Sequence, residues 1–311
     1  MHGLTLPEEL LVTVFSRIRV LVGALAWVAL FGPACASEDG LDPVSLRIRV
    51  DARAIAPGEP LRISVGSNHA LESLAATLLG DAIFMTAANE DGLAWSGWSM
   101  IGLDQEALTA SIEFRGTTRD GREALGAWAI EIVEKDFPEE NLKVAPKFVE
   151  PPPEVQERIA RERAKLERIY GHREAYSPPA EPFARPVPGI KTSIFGMRRL
   201  FNGQPRSPHP GLDLRAAEGT PVRASGPGRV VLAQNLYYSG NIVIIDHGGG
   251  LFTLYAHLSE IEVSEGSTAR AGDLIGLSGS TGRVTGPHLH WGAKIGDRPF
   301  DPEALLEAAL F

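Results

Sequence analysis

His288-Leu289-His290, set between Gly286-Pro287 and Trp291-Gly292, constrains this 311-residue chain more than any other stretch. Successive side chains of a strand leave opposite faces, so two histidines spaced by two leave the same face of a sheet. Two other stretches carry similar side chains: His209 and Asp213 in Ser207-Pro208-His209-Pro210-Gly211-Leu212-Asp213-Leu214, and His257 in Leu254-Tyr255-Ala256-His257-Leu258. Pro210 and Gly211 argue against a helix between His209 and Asp213, which places that pair on an irregular or extended loop. Tyr255 and His257 end the apolar run from Leu251 and are expected to share a face. The block Ile242-Val243-Ile244-Ile245 reads as a strand buried on both sides.

Singly, these features say little, because a histidine near an apolar strand is more often a hydrogen-bonded structural residue than a ligand. As a set, each flanked by turn-forming Gly or Pro, they carry chemistry. Two imidazoles and one carboxylate make three protein ligands and leave a fourth tetrahedral position for water, the arrangement of catalytic zinc. Two histidines then remain for proton transfer.

At these residues the sequence resembles the lysostaphin-type, or LytM-type, zinc metallopeptidases that cut peptidoglycan cross-links. The resemblance runs over the last third of the chain, from Phe195-Gly196 through H-P-G-L-D, G-T-P-V-R-A, G-N-I-V-I-I-D-H-G, Y-A-H-L and T-G-R-V-T-G-P-H-L-H-W-G. It implies a duplicated hybrid motif fold in which His209, Asp213 and His290 bind one Zn2+ and His257 and His288 are catalytic. Hydrolysis would use metal-activated water, with either histidine as the base. Some family members supply an oxyanion donor from a Tyr just before the first zinc histidine. None lies between Phe201 and Pro208, which leaves Asn202, Arg206 and Tyr238 as candidates. His247 lies outside the family's catalytic set and reads as a structural strand-end residue.

Two rival readings follow from the same residues. A LytM-like protein without chemistry would bind the cell wall or activate other wall hydrolases, but such relatives usually lack a ligand, and here every ligand position is filled. The echo between Gly219–Ala224 and Gly266–Ala271, each followed by a turn and an apolar strand, suggests a duplicated hairpin unit and is similar to biotinyl and lipoyl carriers. Those carriers need a lysine at a hairpin tip, and the turns Gly226–Gly228 and Gly272–Gly276 have none.

Residues 1–36 read as a signal peptide: Arg17 and Arg19, an apolar stretch from Val20 to Phe31, then Ala34-Cys35-Ala36. That predicts an exported protein of the periplasm or cell envelope acting on peptidoglycan. Anchoring as a lipoprotein at Cys35 is disfavoured, because no Leu stands three places before it. The net charge of −9 gives no support for binding nucleic acid or anionic membranes.

The fold class expected is mainly β. Residues 41–145, with alternating runs such as Val44–Val50 and Leu61–Val65, read as an immunoglobulin-like β-sandwich. Residues 151–182 read as a proline-flanked linker with a helix from Glu154 to Tyr170, and 183–311 as the antiparallel LytM-type peptidase domain. Trp95, Trp98 and Trp128 read as core rather than as a glycan platform. The N-terminal domain is a candidate intramolecular or protein regulator of the groove.

Overall fold

Eleven residues from Leu108 to Thr118 alternate exposed and buried side chains almost without a break, and they form the longest strand of the first half. A computed structural model describes residues 42–172, 179, 182–307 and 310. The expected signal peptide and Cys35 therefore lie outside the described residues. Among those described, no helix is long and apolar enough to cross a membrane.

The strands of the first half are β1 (Leu46–Asp51), β2 (Pro60–Ser67), β3 (Leu71–Leu78), β4 (Asp81–Ile83), β5 (Met85–Ala87), β6 (Ala94–Met100), β7 (Leu108–Thr118) and β8 (Glu123–Ile132). They make two antiparallel four-stranded sheets, β1-β2-β6-β5 and β4-β3-β7-β8. Leu61, Ile63, Val65 and Met85 from one sheet share a core with Leu74, Ile112, Phe114 and Ile130 from the other. Burying those side chains between the layers is the main favourable contribution, roughly 1.5–3 kcal/mol for each large one. Trp98 is buried, whereas Trp95 and Trp128 are partly buried against the shared core.

Beyond β9 (Glu139–Leu142) comes the helix α1 (Pro153–Gly171), with proline in its first turn, where the missing N–H costs nothing. Arg158–Glu162, Arg161–Glu157 and Arg163–Glu167 pair one turn apart along it. Its apolar stripe, Leu166, Ile169 and Tyr170, packs on Leu232, Ile244 and Phe252.

The second half comprises β10 (Lys191–Ser193), β11 (Arg198–Phe201), β12 (Gln204–Pro205), β13 (Gly211–Arg215), β14 (Pro221–Arg223), β15 (Gly228–Leu236), β16 (Gly240–Asp246), β17 (Leu251–Ile261), β18 (Thr268–Ala269), β19 (Leu274–Ser278), β20 (His288–Ile295) and β21 (Arg298–Phe300). All but β11 and β12 belong to one ten-stranded sheet whose spine runs β10-β13-β20-β17-β16-β15-β18. Ile242 and Ile244 enter the core under α1, while Val243 and Ile245 enter the opposite core with Leu212, Leu214, Leu289 and Trp291, as a doubly buried strand requires. The two sequence echoes exchange partners: β14 of the first pairs with β19 of the second, and β18 of the second pairs with β15 of the first.

From Pro43 onward the chain clusters as one compact unit. Trp98 and Met100 pack with Phe300, Ala304 and Leu305 near the end of the chain. Arg53 joins Glu59 and Asp301 through bonds of 2.7 and 2.6 Å. The β9 strand pairs in parallel with β11, so α1 lies in the crossover between them.

Candidate metal centre

At the start of β20 Leu289 and Trp291 enter the core, which leaves His288 and His290 together on the other face. Asp213 of β13 pairs directly across from His290, and Leu212 and Leu214 on either side of it point into the core. His209 precedes β13 and is fully buried. A Cβ at Gly211 would lie 2.7 Å from the His290 ring, so only glycine lets the His209–Asp213 turn approach β20 so closely.

His257 departs from the expected alternation. Tyr255 belongs to the core with Trp291, its cross-strand neighbour, and its hydroxyl accepts from Ser225 N–H at 2.8 Å. A regular strand would send His257 into that core as well. Instead His257 has φ of +65°, in the left-handed region that side chains other than glycine rarely adopt. It stands where β17 leaves β20 after Ala256 and takes up β19 at Leu258. The ring thereby turns to the other face, with centroids 5.0 Å from His288 and 5.9 Å from His290. Backbone strain of this kind concentrates at functional sites.

The arrangement of lone pairs is fixed by carbonyl oxygens, which only accept. His209 Nδ1 donates to Ile194 O at 2.9 Å, His257 Nδ1 to Thr281 O at 2.9 Å and His288 Nδ1 to Gly286 O at 2.8 Å. Each neutral ring then carries its lone pair on Nε2. His209 Nε2 lies 3.0 Å from Asp213 Oδ1 and 3.0 Å from His290 Nδ1, and His290 Nδ1 lies 2.8 Å from the same carboxylate oxygen. His288 Nε2 stands 3.7 Å from that oxygen.

Burial pushes the His209 pKa down to about 4, against the pull of Asp213. Burial, with the charges of His290 and His288, pushes His257 down to about 3. Burial would raise the Asp213 carboxyl, but the imidazoles of His209 and His290 hold it well below the usual carboxylate range. A neutral His209 therefore points a lone pair at an ionised carboxylate, and His290 can place only one proton among the three atoms. Replacing that proton with a cation would give three donors converging on one centre. A tetrahedral zinc with bonds of about 2.0–2.1 Å needs edges of roughly 3.3 Å between its ligands. The triangle here, at 2.8–3.0 Å, needs to open by only a few tenths of an ångström.

Sequence reasoning missed the support behind this triangle. Arg199 donates to the outer oxygen, Asp213 Oδ2, at 2.8 Å and to Glu140 Oε1 at 2.6 Å. Ser193 Oγ donates to the same Glu140 oxygen at 3.0 Å and lies 3.2 Å from His209 Nδ1. Glu140 reaches this place only through the β9–β11 pairing across a helix, for which no local signal exists. Among the suggested oxyanion donors, Asn202 has both ends of its amide bonded to the Val144 backbone. Arg206 bonds to Gln204 and to backbone carbonyls. Tyr238 is covered by the Arg283 guanidinium.

Residues 207–302, which hold all five site residues, match the family described as peptidase family M23. This is an M23 peptidase domain. The chain is 49% identical over 109 residues to the peptidoglycan DD-endopeptidase ShyA of Vibrio cholerae, a stretch that is 35% of this chain and 25% of that protein. It is also 49% identical over 97 residues to the DD-carboxypeptidase/endopeptidase Mpg of Neisseria meningitidis, 31% of this chain and 22% of that protein. The chain thus spans about a quarter of the length of the curated relatives it matches. A crystal structure from Pseudomonas aeruginosa, described as a peptidase M23, extends the likeness beyond the M23 domain: 26% identity over 82% of this chain and 96% of that one, with a TM-score of 0.61. The family and the His-Asp-His cluster together point to a bound metal.

Proposed function

We propose that the protein is an exported zinc metalloendopeptidase that hydrolyses the peptide cross-links of peptidoglycan. The observation that carries this reading is the triangle of His209 Nε2, Asp213 Oδ1 and His290 Nδ1, which could hold a metal ion and lies inside the M23 domain. Two imidazoles and one carboxylate supply three ligands and leave a fourth tetrahedral position, which suits zinc poised for catalysis. A zinc ion there would lower the pKa of a coordinated water and polarise the carbonyl to be attacked.

The chain's own residues handle protons and position. His257 and His288 each anchor Nδ1 on a backbone carbonyl and keep their rings beside the triangle, so either can accept a proton on Nε2 and return it to the leaving amine. Arg199 and Ser193 hold Asp213 and His209 in the orientation that keeps their donor atoms aimed inward. The DD-endopeptidase activities named for the Vibrio and Neisseria relatives favour a link of the D-alanyl to diaminopimelyl kind over glycyl bonds as the target. The filled donor set counts against a purely regulatory role.

Metal analysis of the purified full chain, beside mass spectrometry of fragments released from defined walls, tests this reading. One zinc per chain and cross-linked dimers cut to monomers are expected. A protein that neither retains zinc nor shortens muropeptides would refute it.

A further inference from the structure

Arg283 lies in the connection from β19 to β20, between the two histidines assigned to proton transfer. Its backbone N–H donates to Tyr238 O at 2.8 Å. Two residues earlier, Thr281 supplies the carbonyl that anchors His257 and a hydroxyl that receives Asn241 N–H at 2.9 Å. The loop is thus tied both to the turn before β16 and to the site itself. The guanidinium carbon sits 4.8 Å from the ring centre of Phe201 and 4.8 Å from that of Tyr238, held by one aromatic face on each element.

What this guanidinium lacks is an anion. Among the described residues, no acceptor or carboxylate partner meets its five N–H donors. The charged groups that bear on it are Arg199 and Arg206, both of like sign, with the Tyr238 phenol between. Burial first, and those like charges after it, work against the charged form, yet an arginine keeps its proton. Arg199 is already committed to Glu140 and Asp213, and Arg206 meets only an amide and carbonyl oxygens. In a chain of net charge −9, two arginines without carboxylates beside one site are an unusual concentration of positive potential.

A planar fork of donors, held between two rings and short of acceptors, matches a carboxylate. We propose that Arg283, framed by Phe201 and Tyr238 and supported by Arg206, is a subsite for a free carboxylate on the peptide that enters the groove. It selects stem peptides that keep a carboxyl group beside the scissile bond over those whose carboxyl is amidated or absent. This rests on the peptidase reading above and narrows its substrate.

The zinc-loaded full chain is tested on two cross-linked muropeptide dimers that differ only in whether the diaminopimelate side-chain carboxyl is free or amidated. Wild type should favour the free acid by about 10- to 100-fold in kcat/KM, mostly through KM, the scale of a charged hydrogen-bonded pair. Arg283→Gln should lower kcat/KM on the free acid until the two substrates are equal, and Arg283→Lys should recover part of the preference. Binding of the matching uncleaved stem peptides is measured in parallel by calorimetry. A charge preference in binding that Arg283→Gln removes supports the subsite even if no turnover is seen, a result that would count against the peptidase reading alone. Turnover with the same free-acid preference in wild type and Arg283→Gln, or an equal fall on both substrates, overturns the subsite and leaves the peptidase standing.

Discussion

His247 and His257 are both buried, both have depressed pKa values, and lie beyond opposite ends of the same stretch of β17, yet they have opposite consequences. His247 uses both ring nitrogens, Nδ1 on Pro227 O at 2.6 Å and Nε2 against the Thr253 hydroxyl at 2.7 Å, with the Phe183 ring edge-on at 4.7 Å. His257 uses only Nδ1, on Thr281 O at 2.9 Å, and its ring lies beside those of His288 and His290. Burial moves both: His247 down to about 4 and His257 down to about 3. A shifted pKa therefore does not mark the site here. The unspent second nitrogen, on a ring turned to the other face by a left-handed backbone, does.

The largest effect that sharpens this contrast is on turnover. His257→Ala should keep the metal and lower kcat by about 100- to 10,000-fold, the usual contribution of a positioned acid or base. His290→Ala should lose metal and cleavage together. His247→Gln should retain both wherever it remains folded. Metal content and muropeptide digestion on the three variants give the answer. Full turnover in His257→Ala, or a folded, metal-loaded His247→Gln without activity, would erase the distinction.

The saturated histidine should instead be visible in stability. Its ordinary pKa is 6.5, and burial lowers it to about 4 in the folded chain. Between those values the unfolded chain binds a proton that the folded chain refuses, so stability is full above 6.5 and falls as the pH drops toward 4. The loss from this one group is on the order of 3 kcal/mol. Denaturant unfolding of wild type and His247→Gln at pH 7 and pH 4.5 reads it: the variant should be weaker at pH 7 and have the shallower dependence. An equal slope in both would place the acid sensitivity elsewhere.

Much of this arrangement is legible in the sequence where the periodicity is regular. Leu289 and Trp291 alternate with His288 and His290, and the block Ile242–Ile245 divides between two cores, because a pleated strand leaves no other choice. The helix expected from Glu154 to Tyr170 spans Pro153–Gly171, since its proline start and apolar spacing are local signals. The face of His257 is not legible, because one left-handed residue inverts the alternation on which the reading depends. β3 and β6 also escape it, the first rich in alanine and leucine and the second broken by Gly97. The support from Glu140 is invisible for a further reason: its partner lies beyond a helix, and parallel pairing leaves no mark in adjacent residues.

That hidden contact gives the smallest of the three effects and the one most informative about the first half of the chain. Arg199 places a positive charge against a carboxylate expected to hold a cation, and Glu140 offsets it. Glu140→Gln should therefore weaken zinc binding by about 10- to 100-fold, the range typical when a partner of a metal ligand is lost. If the cause is the uncompensated guanidinium, Glu140→Gln/Arg199→Gln should bind zinc more tightly than Glu140→Gln alone, whereas simple loss of structure would make the double variant worse. Chelator competition measures both without requiring turnover. The same contact bears on whether the first half regulates the groove as a lid. A chain beginning near Phe183 loses Glu140 and α1 together, so its cleavage rate mixes an opened groove with a weakened metal site. Comparing it with Glu140→Gln at saturating zinc separates the two: a truncated chain faster than that variant would show a lid, and one no faster would leave only the missing carboxylate.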